Sequence, residues 1–133
     1  GVPADANTVS AVQATIREMV ACSNARDTLR RLALFSDANL QPAFPSGPTD
    51  AFMELASTPP AALSGESRIA IVQFGETRIM PDGRVATSVI LDNPSYHSHD
   101  PAALQDPSTA THQVAVAILV QQQGRWLIDE MIY

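Results

Sequence analysis

Glu130 is the residue whose surroundings point most directly to chemistry. It sits in the closing stretch Thr111 to Tyr133, where two apolar, β-branched runs flank Gln122-Gln123-Gly124 in the manner of a hairpin. Side-chain parity argues for a three-residue loop, because a slip of one residue turns one strand's side chains to the other face. That loop, a type I turn closed by a left-handed Gly124, pairs Val120 with Trp126, Ile118 with Ile128 and Val114 with Ile132. A two-residue loop would instead pair Gln121 with Trp126 and Ile118 with Asp129, interrupting the apolar face. In the three-residue register Glu130 shares a face with Trp126, Ile128, Val116 and Val114, and His112 lies on that face at the far end of its strand. A carboxylate so placed is either a desolvated acid–base group with a raised pKa, with His112 as its partner, or a solvated group near the sheet edge paired with Arg68 or Arg78.

The second candidate is His97-Ser98-His99-Asp100. An extended segment puts both imidazoles on one side, with Asp100 available as a third metal ligand. The competing reading is a solvated polar loop, since no cysteine or clear fourth ligand accompanies them. Tyr96 in the same loop either closes over a pocket or packs on the sheet. Cys22, the one cysteine, falls within a helical pattern and reads as a small buried hydrophobe, so no disulfide is expected. No Gly-rich phosphate loop, nucleophile elbow or paired-cysteine motif occurs, and no cofactor is implied.

These groups need a scaffold, and 133 residues are enough for a single domain with one core. Only 5 % of the residues are aromatic, so that core must be built from Val, Ile, Leu and Ala. A net charge of -6 without a basic cluster disfavours nucleic acid and acidic membrane surfaces as partners. No apolar run is long enough for a membrane span. The opening Gly1-Val2-Pro3-Ala4-Asp5-Ala6 reads as a flexible stretch before a domain over 7–133. It suits an exported protein with its targeting segment removed, the alternative being a cytoplasmic one.

Asn7 or Thr8 caps a first helix in which Val9, Val12, Ile16, Met19 and Val20 form one stripe. Asn24-Ala25-Arg26-Asp27 breaks it, and Asp27 caps a shorter helix carrying Leu29, Leu32, Ala33 and Phe35. Ser36 to Pro48 is rich in proline and reads as a loop, after which Ala51 to Ser57 forms a third helix. Strands follow: Glu66 to Met80 with a bulge at Gly75, a turn at Pro81-Asp82-Gly83, and Val85 to Asp92. This register sets Ile79 opposite Val85 and Phe74 opposite Ile90. Asn93 to Ala110 is a long polar connection to the closing hairpin.

The helix break at Asn24-Ala25-Arg26-Asp27, the following Leu34-Phe35-Ser36-Asp37 and the closing Gly124-Arg125-Trp126-Leu127-Ile128-Asp129 resemble the nuclear transport factor 2-like superfamily, which includes SnoaL-like and ketosteroid-isomerase-like proteins. The resemblance implies an α+β fold of three N-terminal helices packed on a curved antiparallel sheet, cone-like and cystatin-like, with a pocket at the wide end. It also implies that many members dimerise through the sheet. Isomerases of that superfamily use a tyrosine on the first helix, where this chain has none. Its inward positions there are Val12, Ile16 and Met19.

The expected role is binding a small, largely apolar ligand or a protein partner without turnover. The ligand would meet Trp126, Glu130, His112, Tyr96, Met19 and Ile16. The alternative is a small isomerase or dehydratase using Glu130 and His112. The opposite hairpin face, with Leu119, Leu127, Met131 and Ala115, is expected to carry a two-fold homodimer.

Overall fold

The computed structural model describes residues 1–45, 53, 54, 57, 59–97, 101 and 106–133. They form an α+β fold with helices on one face of a five-stranded antiparallel sheet ordered β1-β2-β3-β4-β5. The strands are β1 (Val2–Pro3), β2 (Ala70–Ile79), β3 (Val85–Asp92), β4 (His112–Gln122) and β5 (Arg125–Ile132). The helices are α1 (Ala6–Ala25), α2 (Thr28–Leu32) and α3 (Asp37–Leu40). No helix among the described residues is long and apolar enough to cross a membrane.

Asp5, not Asn7 or Thr8, caps α1, accepting the Thr8 backbone N–H at 2.9 Å and the Thr8 hydroxyl at 3.0 Å. The helix buries Val12, Ile16, Met19 and Val20, a stripe at helical spacing. It ends at Arg26, whose left-handed backbone lets its own N–H reach Ser23 O and the Asp27 N–H reach Cys22 O. Asp27 then caps α2. The proline-rich stretch expected to be a loop contains α3, which Ser36 starts by accepting the Asn39 N–H. The expected third helix, Ala51 to Ser57, lies mostly outside the described residues. The opening residues, expected to be loose, pair instead as an edge strand, Val2 with Ile79 and Pro3 with Arg78. Pro3 is tolerated there because an outer edge needs no donor.

The inner face of the sheet carries Val85, Val89, Leu91, Ala115, Ala117, Leu119 and Ile128, which close on the α1 stripe and Phe35 to form the core. β2 begins at Ala70, later than expected, and meets β3 with Ile79 opposite Val85, as the pattern predicts. Phe74, however, faces Val89 and not Ile90. The irregularity between Phe74 and Thr77 falls on Gly75, as anticipated. There a Cβ would come within 1.9 Å of Ser88 Oγ, so glycine leaves the Ser88 hydroxyl in place where a larger residue would make it rotate away.

The closing hairpin departs from its expected register. Its loop has two residues, Gln123 and Gly124, both at positive φ, and Gln122 pairs with Arg125. That is the type I′ geometry that matches strand twist. Gln121 faces Trp126, Val120 faces Leu127 and Leu119 faces Ile128, after which Ile118 faces Glu130. Asp129 is therefore an extra residue, a β-bulge, and it restores the parity that the two-residue loop would have broken. The Pro81-Asp82-Gly83 turn does have three residues, with Met80 N–H donating to Arg84 O across it.

Candidate functional site

The Asp129 bulge decides where the candidate acid goes. Glu130 is turned to the outer face of the sheet, with its side chain 55 % exposed and its carboxylate 3.9 Å from Arg84, not Arg68 or Arg78. His112 pairs with Asp92 at the start of β4. Glu130 on β5 faces Ile118, six positions along β4 from His112, so the two groups lie about 20 Å apart along the sheet. A proton donor and acceptor serving one substrate atom must each lie within hydrogen-bond reach of it. Glu130 and His112 cannot do so together.

The remaining expected ligand residues are also dispersed. Ile16 and Met19 are buried in the core, and Trp126 packs against it while its carbonyl accepts the Thr15 hydroxyl at 3.0 Å. Tyr96 is half-buried in the connection after β3, held by its N–H to Asn93 O at 2.9 Å. Of the metal candidates, His97 is exposed, whereas His99 and Asp100 lie outside the described residues. Among the described residues no three His, Cys, Asp or Glu side chains gather around a common point.

The surface expected to form a dimer is largely interior. Leu119 is 0 % exposed and Ala115 nearly so, and Met131 packs against the same core, all on the inner side of the sheet. The bulge explains the exchange, since the register with a three-residue loop inverts the β4 face relative to the helices. Of the residues expected on that surface only Leu127 faces outward, and its most accessible apolar neighbours, Val114 and Ile132, are ones assigned inward from the sequence. Val114 is 60 % and Ile132 is 47 % exposed. Val116, Val120, Leu127 and Ile90 are half-buried beside them. Glu76 and Arg78, bonded at 3.1 Å, flank this surface, as does Glu130 beside Arg84. A shallow hollow of about 190 Å³ opens between Arg78, Ala86, Ser88 and Val116.

Two polar clusters carry no sequence expectation. Ser36, Asn39, Arg84 and Asp129 form a network around the bulge. At the α1–α2 corner, Arg26 and Arg31 line a cleft with Ser23 and Thr28. A signal for the second is visible in the chain, which has eight cationic residues, all arginine, with Arg26, Arg30 and Arg31 close together. No family model, curated protein or solved structure matches this chain.

Proposed function

We propose that the chain is a nuclear transport factor 2-like domain that acts as an interaction module, joining a second copy of itself through the outer face of the sheet. The observation that carries this reading is the apolar strip on the outer face of β4 and β5, with Val114 and Ile132 exposed, Val116 half-buried between them and Ile90 of β3 beside it. A contiguous apolar surface bordered by charges marks a contact site. The interior, by contrast, is occupied by Ile16, Met19, Val89, Leu119 and Ile128.

A second copy fits this face better than a foreign partner of strong charge. The chain as a whole carries -6, yet beside the strip Glu76 is bonded to Arg78 and Glu130 lies 3.9 Å from Arg84. A surface of balanced charge meets its own two-fold image with acids opposite arginines, and so avoids the repulsion that the net charge imposes elsewhere. The hollow beside Val116 offers room for a side chain from the partner. The superfamily reading rests on the order of elements, a short edge strand and the helices followed by a bulged antiparallel meander.

Mixing isotopically labelled with unlabelled protein tests the proposal. Isotope-filtered NOEs between the Val114, Val116 and Ile132 methyls of different copies are expected. Intermolecular NOEs confined to another surface would overturn it.

A further inference from the structure

We propose that the cleft between α1 and α2 binds a small phosphate monoester through Arg26 and Arg31. The cleft holds about 360 Å³. Ser23 and Arg26 line it from the end of α1, Thr28 and Arg31 from α2, and Pro59 and Ala61 from the facing chain. It lies on the helical side of the sheet, so it is independent of the apolar outer face. Asn24 holds the facing segment, donating from Nδ2 to Ile69 O and accepting the Ile69 N–H, both at 2.8 Å. Leu63 N–H adds a bond to Asn24 O at 2.7 Å.

Arg31 is set in advance for a fork of hydrogen bonds. Its guanidinium stacks over the Phe35 ring, 5.0 Å from the centroid, and its Nε donates to Ser23 Oγ at 3.1 Å. These contacts use one face and one donor, and among the described residues no acceptor meets either Nη group. A planar guanidinium held this way offers parallel donors at little entropic cost, which is the geometry a phosphate accepts.

Arg26 occupies a backbone position that favours glycine, with φ 52° and ψ 34° at the close of α1. Among the described residues its guanidinium has no ion pair. That backbone state closes α1, while the side chain is left available to the cleft that Arg26 lines. The nearby acids are already engaged: Glu18 accepts from Arg30 at 2.6 Å, and Asp27 caps α2. Cys22 lines the cleft too, and burial raises its thiol pKa, so it adds no negative charge. Arg26, Arg31 and Thr28 all line the cleft, and together their side chains carry enough donors to meet several oxygens of a phosphate dianion. The volume leaves room for an attached organic group against Pro59 and Ala61.

The test is an NMR titration of amide shifts with inorganic phosphate and with phenyl phosphate, each against sodium chloride at matched ionic strength. Saturable shifts at Ser23, Arg26, Thr28 and Arg31 are expected, with phenyl phosphate the tighter ligand. Arg31→Lys keeps the charge but loses the fork, and should weaken phenyl phosphate at least tenfold. Arg26→Gly should weaken it comparably while raising Tm, a combination that general destabilisation cannot produce. Shifts no larger than those with chloride, shifts spread equally over Arg17, Arg68 and Arg78, or unchanged affinity in Arg26→Gly would each overturn the proposal. Inorganic phosphate binding as tightly as phenyl phosphate would overturn the monoester assignment.

Discussion

Ser36 donates its hydroxyl to Asp129 Oδ1 at 2.6 Å, joining the start of α3 to the bulge of β5. Around this bond the backbone is tied as well. Ser36 N–H donates to Ile128 O at 2.8 Å and Ile128 N–H to Leu34 O at 2.7 Å, so residues 34–36 cover the outer edge of β5. Asn39 Nδ2 donates to Asp129 O at 3.0 Å and Arg84 Nη1 to Asp129 Oδ2 at 3.0 Å. The helical segment, the β2–β3 turn and the closing hairpin thus meet at the residue that sets the hairpin's parity.

Ser36→Ala removes both the α3 cap and a hydrogen bond to a carboxylate. Ser36 is buried, so water cannot easily replace it. A loss of about 1–3 kcal/mol is expected in urea unfolding. A loss below about 0.5 kcal/mol would mean that the bulge is held by other contacts.

Gln123 adopts φ 52° in a two-residue turn where asparagine is favoured. Gln123→Asn should stabilise the protein by about 0.5 kcal/mol, because asparagine tolerates the left-handed state at less cost. Thermal unfolding checks this, and a lower Tm would argue for the three-residue loop.

The cap at Asp5 makes α1 sensitive to acid. The Thr8 backbone N–H, and then the Thr8 hydroxyl, hold the Asp5 carboxyl below its ordinary value of 3.8. A depressed folded pKa gives stability that is present above the unfolded value and is lost as pH falls through the folded one. Asp5→Asn keeps a capping oxygen that does not titrate. Its Tm should therefore decline less than that of the wild type between about pH 5 and about pH 2. Parallel declines would show that the cap does not contribute to acid sensitivity.

Much of this fold is legible in the chain because local chemistry sets it. The α1 stripe, the break at Arg26, the cap at Asp27, the Gly75 irregularity and the span of β3 all follow from periodicity and turn residues. The hairpin shows where such reasoning stops. Parity correctly excludes a two-residue loop on uninterrupted strands, but one extra residue at Asp129 reconciles that loop with an apolar core. Nothing local in Ile128-Asp129-Glu130 announces the bulge. Its determinants, Ser36, Asn39 and Arg84, come from distant parts of the chain. The same omission exchanged the two faces of β4, assigning Glu130 and Val114 inward and Leu119 outward. The α3 cap at Ser36 was hidden by the prolines that follow it.

Sedimentation equilibrium of the wild type and Val114→Arg over a common concentration range tests the proposed interface most directly. Val114 is 60 % exposed in the single chain, so the substitution spares the core. Wild type at twice the chain mass, with Val114→Arg at the chain mass and an unchanged Tm at low concentration, is the predicted result. A monomeric wild type, or a variant that remains dimeric, would contradict it.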